Sequence, residues 1–338
     1  MKAIGYTHCL PVDDPACLVD LELPEPVANG RDLLVRVHAV SVNPVDTKLR
    51  RAAAPPAGET RILGFDAAGV VEAVGPEVRG FRPGDEVWYA GSRARPGTNA
   101  ELHLVDERIV GLKPRSLSFA QAAAMPLTTI TAWEALFDRL QLRVGKPADA
   151  GSVLITGAAG GVGSIAVQLA RRLTGAQVIA TASRPETREH ALALGAHRVI
   201  DHGRPISEEL RRESIRWVEA IFSITHTHQH FAELAKSVAP QGRICVIDTP
   251  DKPLDFMLLR ERCASLHWEG MFTRSGFQTA DMAEQGRLLG ETARLVDDGL
   301  IRCTHTRTAG RICAADLRAA HAAIESNRTI GKIVLAGF

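Results

Sequence analysis

Val153-Leu-Ile-Thr-Gly157-Ala158-Ala159-Gly160-Gly161-Val162-Gly163-Ser164-Ile165-Ala166-Val167-Gln168-Leu169 sets the architecture of this 338-residue chain. A short apolar run enters a glycine cluster, and apolar positions then recur at helical spacing. That order predicts a strand, a tight turn and an amphipathic helix. Glycines at 157, 160 and 163 permit a sharp turn and the close approach of a pyrophosphate. The negative charge would meet N–H groups at the helix start. Glycine turns alone are frequent; the flanking strand and helix, with more strands beyond, are what point to a dinucleotide site. Gly157, Ala158, Gly160, Gly161, Val162 and Gly163 are its candidate contacts.

Working outward, strands are expected at Ser152–Thr156, Gln177–Thr181, Arg198–Ile200, Val218–Ile224 and Arg243–Asp248. Segments such as Ser164–Leu173 and Pro185–Leu194 carry helical spacing between them. The alternation implies an α/β domain with a parallel, doubly wound sheet and right-handed crossovers. The first third of the chain reads differently. Asp32–Val40 and Ala67–Val74 are expected strands, and Pro83-Gly84-Asp85 turns before Glu86–Tyr89. Short strands with such turns suggest a small barrel or sandwich. Ser118 is placed to cap a helix that Pro126 kinks or restarts. Past residue 266 come a strand, helices around Ala280–Val296 and Ala314–Ser326, and a last strand, Lys332–Leu335. That part is better suited to completing the first domain than to standing alone. The expected division is 1–122, 123–266 and 267–338.

The end of the second expected strand discriminates between nicotinamide cofactors. An NAD site usually places a carboxylate there to hold the ribose 2′-OH. This chain reads Ala180-Thr181-Ala182-Ser183-Arg184-Pro185, with no acid before Glu186. Ser183 can donate to a 2′-phosphate, Arg184 can pair with it through a planar fork, and Arg188 follows one helical turn later. NADPH is therefore expected, the bland alternative being that Arg184 is a solvated surface arginine. Ser223 is a further cofactor candidate.

Lys and Arg total 40 against 39 Asp and Glu, a net charge of +1, which argues against a nucleic-acid or membrane-surface partner. No apolar run is long enough to span a bilayer. Met1–Tyr6 does not read as a signal peptide, so a cytoplasmic location is expected. The six cysteines show no CxxC spacing and are expected to be reduced and mostly buried. His226, His228 and His230 would share a face in an extended segment and invite a metal reading. They follow an apolar strand where a helix should begin, so loop or cofactor-edge contacts are the preferred reading.

Beyond the glycine turn, Ser41-Val-Asn43-Pro-Val-Asp46-Thr-Lys, Leu63-Gly-Phe65-Asp66-Ala-Ala-Gly69, Arg82-Pro-Gly-Asp85-Glu-Val, Ala124-Met-Pro-Leu-Thr128-Thr-Ile-Thr131-Ala-Trp and Gly331-Lys332-Ile-Val-Leu occur in order. This set resembles the medium-chain dehydrogenase/reductase superfamily, on its quinone-oxidoreductase side, including the zinc-type alcohol dehydrogenase-like group. The resemblance implies a central Rossmann domain, a GroES-like β-rich catalytic domain built from both chain ends, and a homodimer. Zinc-dependent relatives place cysteine and histidine ligands where this chain has Asn43–Asp46 and Phe65-Asp66, and residues 84–115 contain no cysteine. No metal is therefore expected.

The chemistry this implies is hydride transfer from NADPH to a quinone or α,β-unsaturated carbonyl, with the protein orienting, drying and stabilising charge. By the same resemblance Asn43 is expected near the nicotinamide ribose or the substrate carbonyl and Thr131 near the nicotinamide, with Thr128 a weaker candidate and Asp46 either catalytic or a turn or cap residue. Lys332 joins the cofactor candidates. Phe65, Tyr89 and Phe272 are candidate walls of the acceptor pocket, as is Trp88, although core packing explains such aromatics equally well. Tyr89 is also the one tyrosine worth testing as a proton donor. The rival reading is an NADPH-binding redox sensor or scaffold with little turnover; an alcohol dehydrogenase fails for want of zinc ligands.

Overall fold

The run before the glycine cluster forms strand β1 (Ser152–Ile155), with all four residues buried. Such a continuous apolar run belongs to a sheet covered on both faces. In this computed structural model, which describes residues 1–147 and 149–338, it lies inside a six-stranded parallel sheet. The other strands are β2 (Gln177–Thr181), β3 (Arg198–Ile200), β4 (Val218–Ser223), β5 (Val238–Val246) and β6 (Ser265–Trp268). Their order is β3-β2-β1-β4-β5-β6, so the winding reverses beside β1. That reversal is the switch point at which doubly wound sheets open a crevice. The sixth strand pairs in register with β5, Ile244 opposite Leu266.

Register explains the core of this sheet. Ile179, Leu154, Ile221 and Ile244 stand opposite one another across four neighbouring strands. Phe231 and Leu234 of the helix Thr227–Ser237 pack against the same cluster. Together these buried side chains contribute on the order of 1.5–3 kcal/mol each.

The chain divides into two compact units: Thr131–Gly270, which holds this sheet, and Met1–Ile130 together with Met271–Phe338. The second unit is β-rich. Its strand Asp32–Ser41 pairs antiparallel with Ala67–Val74 and with Leu102–Asp106. The C-terminal strand Lys332–Ala336 pairs with it as well, Val334 opposite Ser41, so both chain ends build one sheet. Ser118 Oγ accepts from the Gln121 N–H while Gln121 accepts from the Ser118 N–H, a reciprocal cap on the helix Phe119–Ala123. That helix ends, and Pro126 opens the next, Pro126–Trp133.

One expectation needs correcting. Only Cys17 and Cys245 are buried, while Cys263 is exposed and the other three cysteines are intermediate. Cys263 sits at the αL terminus of a 3-10 helix, a turn position and not a core one. Among the described residues no helix is long and apolar enough to cross a membrane.

Candidate functional site

In the sheet unit, the glycine turn forms at the carboxyl end of β1. The Thr156 N–H donates to Phe222 O (3.0 Å), and Thr156 Oγ1 accepts from the Ile224 N–H (2.9 Å), which ties the strand end to β4. Gly157 takes φ +60°, which L side chains rarely adopt. A Cβ at residue 163 would lie 2.4 Å from Gly157 O and 2.5 Å from Ala158 Cα. The helix Gly161–Leu173 starts at Gly160 with no side-chain cap. Its first N–H groups and its dipole therefore suit an anion rather than a carboxylate of the chain itself. Gly157, Ala158, Gly160, Gly161, Val162 and Gly163 come together in this one turn, and the cradle fits a pyrophosphate.

At the end of the neighbouring β2, Ser183 and Arg188 are exposed and Arg184 is half-buried. Arg184 Nη1 lies 3.2 Å from Glu186 Oε1. At that exposure the ion pair contributes little. Ser223 is fully buried, its hydroxyl 2.8 Å from Thr227 Oγ1, where it links β4 to the following helix. His226 begins that helix with φ +54°, and His228 and His230 lie within it. Helical spacing turns residues two apart to different faces, so the shared face of an extended strand is not formed. Thr131 is buried at the start of this unit.

The β-rich unit holds a buried polar cluster. Asp66 Oδ2 accepts from Ser41 Oγ (2.7 Å), Asn43 Nδ2 (2.7 Å) and Lys332 Nζ (3.2 Å), while Oδ1 accepts from the Leu127 N–H (2.7 Å). Lys332 Nζ also donates to Val42 O (2.9 Å) and to Asn43 Oδ1. The Asn43 amide is thus oriented at both ends, its oxygen toward an ammonium and its nitrogen toward a carboxylate. Asp46 sits behind it, Oδ2 accepting from the Asn43 N–H (2.8 Å) and Oδ1 from the Gly64 N–H (3.0 Å). Burial pushes the Asp46 carboxyl up to about 7, against the pull of those N–H groups and of Lys332. Burial also lowers the Lys332 pKa, with Asp66 opposing it. The structure therefore places Lys332 in this cluster, with its ammonium engaged by Asp66, Asn43 and Val42.

Phe65 and Phe272 meet edge to face, ring centroids 4.9 Å apart. Tyr89 is fully buried, with its hydroxyl 3.0 Å from His103 Nδ1. His103 Nε2 lies 3.0 Å from Pro96 O, so that nitrogen carries the ring proton and Nδ1 accepts from Tyr89. Burial raises the Tyr89 phenol and pushes His103 down to about 4. Trp88 is also fully buried. Asp66 and Ser41 were not singled out as site residues by the sequence. Asp66 stands within a quoted landmark, but nothing local says that its partner is a lysine near the far end of the chain.

Among the described residues no group of three or more His, Cys, Asp or Glu is placed to share a metal. Around Asn43 and Phe65 the donors are one amide and two carboxylates, and the Asp66 carboxylate is already neutralised by an ammonium.

Two family descriptions match the chain: an alcohol dehydrogenase GroES-like domain over residues 29–133, and a zinc-binding dehydrogenase over 161–289. A zinc-type alcohol dehydrogenase-like protein of Staphylococcus epidermidis is 36% identical over 99% of both chains. A solved structure of a candidate zinc-dependent alcohol dehydrogenase from Rhizobium etli is 56% identical, with TM-score 0.96, covering 100% of this chain and 98% of its own. A chloroplastic NADPH-dependent alkenal/one oxidoreductase of Arabidopsis thaliana is 37% identical over 62% of this chain and 54% of its own length.

Proposed function

The chain belongs to the medium-chain dehydrogenase/reductase superfamily, an oxidoreductase family, and on that footing we propose that it is a zinc-independent, NADPH-dependent reductase of quinones or α,β-unsaturated carbonyls. The observation that carries the zinc-free reading is the Lys332–Asp66 contact beside Asn43. A buried ammonium supplies the positive charge there, and a divalent cation would add to it unfavourably. Phe65 and Asn43 offer no soft ligand at the positions that zinc-dependent relatives use. The zinc in the names of the relatives is, in this reading, inherited.

The glycine turn would hold the pyrophosphate, and Ser183, Arg184 and Arg188 the 2′-phosphate. The nicotinamide, when bound, supplies the hydride. Asn43 is assigned to the substrate carbonyl: its amide is already oriented, so its second N–H can donate to an oxygen gaining charge with little reorganisation. Thr131 is assigned to the nicotinamide side. The enone class is supported by the likeness to the Arabidopsis alkenal/one oxidoreductase.

The test is NADPH oxidation against a small panel of quinones and enones, with metal analysis of the purified protein. Turnover on at least one acceptor by zinc-free protein is expected. Tight NADPH binding without turnover would favour a redox sensor, and one firmly bound zinc per chain would remove the zinc-free reading. Arg184→Ala is expected to weaken NADPH binding about tenfold and leave NADH unchanged, since a charge-assisted hydrogen bond contributes about 1.5–3 kcal/mol. Equal losses for both cofactors would take Arg184 out of the 2′-phosphate site.

A homodimer is proposed through the open edge of β6. That edge strand carries Trp268, 56% exposed, and the adjacent 3-10 helix exposes Phe256, Met257 and Leu258. An apolar sheet edge left open invites a second copy to pair with it. Sedimentation of Trp268→Asp should give monomer where the unmodified chain gives dimer; identical sedimentation would rule this face out.

A further inference from the structure

The helix Pro185–Ala193 opens at Arg184, so Ser183, Arg184 and Arg188 gather around its first turn, where the proposed function puts the 2′-phosphate. Apolar packing holds this helix only weakly. Among the described residues just two of its side chains are buried, Thr187 and Ala191, and both are small. Little apolar area is gained from side chains of that size. Thr187 Oγ1 donates back within the same helix, to Arg184 O (2.8 Å). The strand side of the turn is firmer, because the Ala182 N–H just past β2 donates to Ile200 O (3.0 Å).

The helix that leaves the glycine turn is anchored in the opposite way. Within Gly161–Leu173, residues 163–170 are all buried. Ser164 is fully buried, and its N–H donates to Gly160 O (2.8 Å). Its hydroxyl reaches across to the other helix, with Oγ 2.8 Å from His190 Nε2. Ala159 O lies 3.4 Å from the same Oγ. A hydroxyl can donate to the imidazole, or donate to the carbonyl and accept from the imidazole N–H, so the bond forms with either tautomer. Burial lowers the His190 pKa, so the ring is uncharged at neutral pH and works as a hydrogen-bonding group. His190 stands about 9 Å beyond Arg184 along the helix axis.

We propose that the Ser164–His190 hydrogen bond sets the position of the 2′-phosphate residues relative to the pyrophosphate cradle, and so fixes a preference for NADPH over NADH. Ser164 and His190 are positioning residues, acting through Arg184 and Arg188; the inference rests on the NADPH reading of the proposed function. The physical reason is the unequal anchoring of the two helices. Without the bond, the deeply buried helix stays where it is and the weakly packed one shifts. The pyrophosphate keeps its N–H groups. The charge-assisted contacts to the 2′-phosphate, which depend on distance and on the plane of the guanidinium, are the ones lost.

Kd values for NADPH and NADH, measured by calorimetry in the unmodified chain, in Ser164→Ala and in His190→Ala, read the bond from both sides. Each variant is expected to raise the Kd for NADPH about three- to tenfold and to leave that for NADH within about twofold, as loss of one net hydrogen bond predicts. The double variant should be no weaker than the weaker single, since both changes remove the same bond. Should one single variant fail to fold, the other still decides the outcome. Equal losses for both cofactors would show that the two side chains only support the fold, and would overturn the proposal; additive losses in the double variant would overturn it too. An NADPH preference that survives in both single variants overturns this inference alone. An unmodified chain that binds NADPH no better than NADH overturns the NADPH reading and this inference together.

Discussion

Lys332→Met is expected to lower the unfolding temperature by roughly 10 °C, the largest single-site loss outside the apolar core. The Lys332 ammonium faces the buried Asp66 carboxylate at 3.2 Å, and it also holds Val42 O and Asn43 Oδ1. Removing it leaves a carboxylate in the interior with only neutral donors, which costs about 3–5 kcal/mol. The double variant Lys332→Met, Asp66→Asn carries no orphaned charge and should recover more than half of the loss, measured by calorimetry. If the single variant unfolds at the temperature of the unmodified chain, the ion pair contributes nothing and the zinc-free reading loses its support. If the pair also orients Asn43, the single variant should lose kcat with little change in KM, since the amide would no longer be preorganised.

Gly163→Ala should weaken NADPH binding roughly 10- to 100-fold, read by quenching of protein fluorescence. The added methyl would lie 2.4 Å from Gly157 O and 2.5 Å from Ala158 Cα, both backbone atoms. A backbone cannot swing aside as a flexible side-chain tip can, so the helix start must move away from β1. Displacement of this kind costs about 1–3 kcal/mol and pulls the N–H groups out of line with the pyrophosphate. Gly276→Ala is the control, because a Cβ there meets nothing within 4 Å. Equal affinity in both variants would show that the cofactor does not sit on this turn.

Much of the sheet unit was legible because it is written locally. An apolar run, glycines three apart and apolar residues at helical spacing are short-range patterns, and β1, β2 and β3 begin where those patterns begin. The cap at Ser118 was legible for the same reason, since its partner Gln121 is three residues away. The edge strand β6 was harder to assign to this sheet, because a 3-10 helix interrupts the alternation before it. Lys332 was read from a landmark as a cofactor candidate, and its contacts with Asp66 and Asn43 were not legible because those partners lie far away in the chain.

The sequence by itself determined the parallel sheet, the glycine turn, the absence of an acid before Glu186 and the lack of cysteine across residues 84–115. Only the tertiary structure decided which buried charges meet. Asp66 and Lys332 are 266 residues apart, and they touch because the C-terminal strand pairs with Asp32–Ser41. Arg139 and Glu269 meet across 130 residues of chain, Nε to Oε2 2.9 Å, where β6 ends. Backbone periodicity is fixed by neighbours a few residues away, whereas the partner of a buried charge is fixed by where distant strands cross, which no local spacing encodes.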